Sequence, residues 1–139
     1  MTEGASVLRV PASFTGLEEI ARFVVDLARR ALLPEQVGYR LRLAVDELAT
    51  NTVTYGYRAE VGTITVSGAV EHDRVWVRLE DQAPLFDPRT RMRPPDPTVP
   101  PEARPIGGLG IYLALSSLDE FSYTGDTGRN VSILTVHRG

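Results

Sequence analysis

LRLAVDELATNTVTYGY, residues Leu41–Tyr57, decides the fold once it is read at the helical period. Counted from Val37, the residues Leu41, Ala44, Leu48 and Tyr55 fall on one apolar stripe, the face that a helix buries against a core. Arg42 and Asp46, four apart on the opposite side, can pair in water. Glu47 and Asn51 are also four apart but lie on the border of the stripe. A carboxylate and an amide one turn apart at the edge of a core are half-desolvated, rigidly held and pointed the same way. That arrangement suits a metal ligand beside a general base. Two boundary polar residues share the same spacing, so the pair gains meaning only from what the rest of the chain supplies.

Upstream, Val7–Val10 reads as a short strand stopped by Pro11. Thr15-Gly-Leu-Glu18 has the form of a capping box. The helix it opens carries Leu17, Ile20, Ala21, Val24, Leu27, Ala28 and Ala31 at core spacing, and Pro34 closes it. The same proline can start the helix that contains the opening stretch, which runs to about Tyr55, before Gly56.

Downstream, Thr63–Val70 and Arg74–Glu80 form a predicted hairpin around Glu71-His-Asp73. Val75, Val77 and Leu79 alternate with Trp76, Arg78 and Glu80, so one face of the second strand is buried. That strand delivers Asp81 at its end, where DQAPLFDP begins an irregular segment. An acid there is placed for recognition, and a turn-forming Asp has the same signature. Pro88–Pro105 holds seven of the ten prolines together with Arg89, Arg91, Arg93 and Arg104, which excludes regular structure. A segment of that length is a functional lid over residues 88–106, meeting an anion through its arginines, or a solvated linker. Ile106-Gly-Gly-Leu-Gly-Ile111 comes next and feeds into a helix over Tyr112–Leu118. Glycines at a helix start let backbone N–H groups approach a phosphate, and a hinge has the same composition. Glu120–Tyr123 and Val131–Val136 close the chain as two strands around Gly125-Asp-Thr-Gly128.

Composition narrows the function. The 139 residues suit one domain with a real core, 1–139, and no internal repeat is present. A net charge of −3 argues against a general nucleic-acid or anionic-membrane binder. No apolar run approaches a membrane span, and Met1–Val10 lacks the regions of a signal peptide. Cysteine is absent, so disulfides, thiolate zinc sites and cysteine nucleophiles are excluded. The expected location is cytoplasmic. All 15 basic residues are arginine, which removes P-loop nucleotide binding, kinases with a strand lysine, and Schiff-base chemistry. His72 and His137 lack ligand spacing and read as structural or surface residues.

The elements predict an α+β two-layer sandwich: a mixed, mostly antiparallel sheet of four to five strands with three helices on one face. Taken in order, Glu47-x-x-x-Asn51, Asp81 after a strand, a lid, Gly107-Gly-x-Gly110 and a terminal Arg129-Asn130 resemble the ATP-binding domain shared by gyrase, the Hsp90 chaperone, histidine kinases and MutL. DELATNTVTYGY and PIGGLGIYLA resemble in particular the bacterial anti-sigma factor serine/threonine kinases, and the likeness runs from about Val7 to Arg138. The resemblance implies ATP and Mg²⁺ as cofactors, with Asn51 holding the metal through its carbonyl and Glu47 taking the proton of an attacking serine. It also implies that Asp81 accepts from the adenine amino group, that Gly107, Gly108 and Gly110 cradle phosphates, that Arg104 senses the terminal phosphate, and that Asn130 belongs to the nucleotide site. The partners it implies are an antagonist protein as substrate, a sigma factor, and a second copy in a homodimer. One departure stands out: the family places a glycine two residues after the adenine-binding acid, and this chain has Ala83 followed by Pro84. A methyl group and a rigid ring there can crowd the nucleotide, which keeps open an alternative, a non-catalytic protein-binding module with a weakened nucleotide site.

Overall fold

A computed structural model describes residues 5–57, 61–103 and 109–139. Arg104, Gly107 and Gly108, of which phosphate contacts are expected, lie outside the described residues. Chain order is β1 (Ser6–Pro11), α1 (Phe14–Arg30), α2 (Glu35–Asn51), a π-helical turn (Thr52–Gly56), β2 (Thr63–Val70), β3 (Arg74–Asp81), α3 (Leu109–Ser116), β4 (Glu120–Thr124) and β5 (Asn130–His137). Two 3-10 turns, Pro88–Arg91 and Pro101–Ala103, punctuate the proline-rich segment, for which the sequence predicts no regular structure.

The five strands lie in the order β1-β2-β3-β5-β4, and each neighbouring pair is antiparallel. Alternation does the sorting. Val75, Val77 and Leu79 of β3 are buried with Ile64 and Val66 of β2 and Leu134 and Val136 of β5, whereas Trp76, Arg78 and Glu80 point to the other face. Against the buried side pack Ile20, Val24 and Leu27 from α1, Leu41, Ala44, Val45 and Leu48 from α2, and Ile111, Ala114 and Leu115 from α3. The α+β two-layer expectation therefore holds.

Three local expectations need correction. The N-cap of α1 is Ser13, not the Thr15 box. Ser13 is extended (φ −149°, ψ 172°), its carbonyl takes the first helical bond from Leu17 N (2.9 Å), and its side chain accepts from Gly16 N (3.3 Å). Thr15 is already inside the first turn. At the other end α1 stops before Pro34: Leu32 turns left-handed (φ 55°) and Leu33 N closes onto Ala28 O (3.1 Å). Finally, Tyr55 is 53% exposed and leaves the buried stripe of α2. The cause is the π-helical turn, closed by Tyr57 N donating to Thr52 O (2.9 Å), which widens the helix after Asn51 and rotates the residues beyond it. Tyr57 then ties the exit down, its hydroxyl donating to Thr63 O (3.0 Å) and accepting from Gln82 N (2.9 Å).

β1 meets α1 so closely that Gly16 has no room for a side chain: a Cβ there would lie 1.9 Å from Pro11 O. Gly16→Ala should therefore cost about 2–3 kcal/mol despite the better helix propensity of alanine. Urea denaturation checks this, and an unchanged midpoint would remove the close approach as a constraint.

Candidate functional site

The site begins at the C-terminal end of β3. Antiparallel register places Asp81 directly opposite Asn130, the first residue of β5, and both side chains are buried. Asn130 Nδ2 donates to Asp81 Oδ1 (2.9 Å), and Ala83 N donates to the same oxygen (3.0 Å) in the turn that ends the strand. Thr52 Oγ1 reaches Asp81 Oδ2 (3.3 Å) from the π-helical turn. Desolvation by burial pushes the Asp81 carboxyl above its ordinary value, against the opposing pull of the hydrogen bonds from Asn130, Ala83 and Thr52.

Asn130 does more than hold Asp81. Its Nδ2 also lies 3.1 Å from Ala83 O and 3.3 Å from Pro84 O, and its Oδ1 accepts from Phe86 N (2.9 Å) and from the Tyr123 hydroxyl. Its amide is thus occupied by protein groups, and it shapes the 83–86 segment. Tyr123 Oη accepts in turn from Phe86 N (3.2 Å). Sequence reasoning passed over Thr52, Tyr123 and Gly56. Signals exist for two of the three: Thr52 directly follows Asn51, and Tyr123 shares strand alternation with half-buried Phe121.

These groups line a cavity of about 230 Å³, walled by Leu48, Asn51 and Thr52 on the helix side and by Ala83, Pro84 and Phe86 on the loop side. That is below the roughly 300–1,000 Å³ of whole-ligand pockets, so the cavity suits one ring system with the rest of a ligand outside. Asn51 Nδ2 is buried there with no hydrogen-bond partner among the described residues. An unpaired buried amide costs about 1–3 kcal/mol, which an acceptor on a ligand reaching it would offset. Half a turn of the amide puts its carbonyl oxygen in the same place. A larger depression of about 980 Å³ runs between Val25–Arg29 and Leu33–Arg42. It holds none of the predicted residues and has no converging buried polar groups, so the smaller cavity is the candidate site.

Glu47 sits one turn before Asn51 and faces a different neighbour. A Cβ on Gly110 would lie 3.1 Å from Glu47 Oε1 and 3.3 Å from Oε2, so the start of α3 comes against the carboxylate. The positive end of that helix suits an anion. Arg42 and Asp46 take the solvent side, 3.7 Å apart. Among the described residues, no group of three or more His, Cys, Asp or Glu is placed to hold a metal. A cation here would rely on Asn51, ligand oxygens and water, the usual pattern for Mg²⁺ on a nucleotide. The donor set fits that ion.

The crowding expected at Ala83 takes a specific form. Ala83 is 3% exposed and its methyl is directed at Gly56, where an added Cβ would be only 3.0 Å away. Glycine on the helix wall makes the room that alanine takes on the loop wall. Among the arginines of the proline-rich segment, Arg89 is committed: its Nε and Nη2 grip Asp87 (3.0 and 2.7 Å), and its guanidinium lies 6.0 Å from the Phe121 ring centroid. That grip holds the Asp87 carboxyl below the usual range. Met92 packs on the core, and Arg93 beyond it is exposed. His72 and His137 are both exposed, as expected of surface residues.

A family model described as a histidine kinase-like ATPase domain matches residues 10–135. The chain is 31% identical over 127 residues to the serine-protein kinase RsbW of Bacillus cereus (strain AH187), covering 89% of this chain and 79% of that protein. RsbW of Bacillus mycoides (strain KBAB4) matches with the same identity and coverage. For RsbW of Bacillus anthracis (strain CDC 684 / NRRL 3495) the match is 30% over 94 residues, 66% of this chain and 59% of that one.

The raised pKa of Asp81 makes a stability prediction. The folded state binds its proton more readily than the unfolded chain, so the stabilisation is complete below the unfolded pKa and is lost as pH rises through the folded one. At neutral pH the buried ion costs stability. Asp81→Asn keeps an acceptor for Ala83 N and Asn130 Nδ2, and its new amide can donate to Thr52 Oγ1. It should raise the urea midpoint at pH 7.5, and the gain should shrink as pH is lowered towards 4.5; a lower midpoint at pH 7.5 would mean that the carboxylate stabilises the fold.

Proposed function

The chain belongs to the histidine kinase-like ATPase domain family, and from that premise we propose that it is an ATP-dependent protein serine/threonine kinase of the anti-sigma factor type. Its substrate in this reading is a serine of a small antagonist protein, and the chain also holds a sigma factor in the cytoplasm, acting as a homodimer. The observation that carries the nucleotide reading is one cavity lined both by a buried acid at a strand end, Asp81, and by Asn51 of the helix wall, whose buried amide nitrogen has no hydrogen-bond partner among the described residues.

Phosphoryl transfer needs positioning and charge neutralisation more than covalent chemistry from the protein. The adenine ring enters the cavity with its amino group donating to Asp81. Asn51 is the residue that would hold Mg²⁺, which when bound neutralises charge on the triphosphate. Gly110 lies in the first turn of α3, whose positive end would meet the phosphates, and Gly107, Gly108 and the Arg104 cation, close by in sequence, would complete the cradle. Glu47 removes the proton from the attacking serine hydroxyl. A new bond forms between that oxygen and the terminal phosphorus, and the bond from phosphorus to the ADP oxygen breaks.

The alternative reading is a non-catalytic module that holds a protein partner, and buried Ala83 beside Pro84 is the observation that favours it. Against it, the Ala83 methyl packs towards Gly56 on the helix wall, and a pure binder has no chemical use for both Glu47 and Asn51.

Calorimetric titration with Mg-ATP separates the two readings: micromolar binding supports the kinase, and no heat removes it. Given binding, Glu47→Gln should leave the ATP dissociation constant within about threefold of wild type while phosphoserine formation on the antagonist falls by a factor of about 10²–10⁴. Unchanged transfer would exclude Glu47 as the base. Asn51→Ala should weaken binding in the presence of magnesium and have little effect in EDTA; equal losses in both would refute the metal assignment.

A further inference from the structure

Thr52 stands where three features meet: the end of α2, the π-helical turn and the buried acid. Its backbone N–H closes onto Leu48 O and Ala49 O, and its hydroxyl reaches Leu48 O (3.2 Å) and Asp81 Oδ2 (3.3 Å). A hydroxyl has one hydrogen for those two acceptors. Bonding back to the carbonyl four residues earlier also perturbs a helix, and this one widens into its π-helical turn at Thr52.

The acceptor capacity of Asp81 sharpens the point. A carboxylate oxygen has about two lone-pair directions. Oδ1 uses both, on Ala83 N and Asn130 Nδ2. Oδ2 receives only the Thr52 hydroxyl among the described residues, so its second direction is what remains for a ligand in the cavity that both residues line. We infer that Thr52 is a specificity-positioning residue: its hydroxyl fixes the rotation of the Asp81 carboxyl, so that the remaining lone pair of Oδ2 meets the amino group of adenine. The inference rests on the proposed nucleotide site, and it adds a residue on the helix wall to base recognition. It also links the two halves of the site, because Thr52 adjoins Asn51. The helix end that would hold the metal and the acid that would hold the base share one hydrogen-bonded joint.

A role exerted through the amino group can be told apart from a structural one by changing the ligand as well as the residue. Thr52→Val keeps the shape and removes the hydroxyl. Inosine triphosphate has a carbonyl oxygen where ATP has its amino group. Calorimetry of wild type, Thr52→Val and Thr52→Ser with Mg-ATP and Mg-ITP gives the answer. Thr52→Val should weaken ATP binding about five- to tenfold, the net worth of one ordinary hydrogen bond, and should change ITP binding less than about twofold. Thr52→Ser, which restores the hydroxyl, should return ATP affinity to within about twofold of wild type. Equal losses for both nucleotides, or ATP affinity unchanged in Thr52→Val, would overturn the inference while leaving the nucleotide site intact. Wild type that binds neither nucleotide would overturn the nucleotide site itself.

Discussion

The hydrogen-bonded burial of the Asp81 carboxylate is the constraint on which the site depends. Three donors from three parts of the chain converge on it: Thr52 from the end of the second helix, Ala83 from the turn after β3, and Asn130 from β5. A buried charge is tolerable only with such partners. Their positions in turn require the sheet register, the helix-to-sheet packing and the π-helical turn. Asn130 extends the demand outward, because the same amide fixes the loop wall through Ala83, Pro84 and Phe86.

The carboxyl is nonetheless held above its ordinary pKa, so the network offsets only part of the desolvation. Asn51, buried with an amide nitrogen unpaired among the described residues, adds a second cost at the same place. Two unfavourable polar groups on residues lining one small cavity are a poor solution for stability and a good one for binding, because a ligand with a donor for Asp81 and an acceptor for the Asn51 amide relieves both. The apolar layer beneath, with Ile20, Leu27, Leu41 and Leu134 fully buried, is what lets the fold carry that cost.

Tolerance of Ala83 shows the same logic at the level of packing. The pocket wall needs one glycine where the helix and the loop touch, and Gly56 fills that need from the other side. The proline-rich segment is divided in a similar way. Its first turn is anchored through Arg89 on Asp87 and Met92 on the core, which takes one arginine out of the set available to an anion. Arg93, past the anchor, is exposed.

Local pattern is short-range, and what it determines is element identity. The 3.6-residue stripe of Leu41, Ala44 and Leu48, the alternation of Val75, Val77 and Leu79, and the placement of Asp81 at a strand end were legible because each depends on neighbours a few residues away. So was the spacing of Glu47 and Asn51, and with it the family likeness. Tyr55 was misplaced because a π-helical turn leaves no periodic signature. The capping residue slipped from Ser13 to Thr15 because both have hydroxyls, and only the approach of Gly16 to Pro11 O fixes which carbonyl starts the helix. Asn130 meeting Asp81 across 49 residues, Thr52 reaching the same carboxylate across 29, and Gly56 making room for Ala83 were decided by tertiary structure alone. Register and helix-end geometry come from burying the whole apolar face at once, and no single stretch of the chain encodes that.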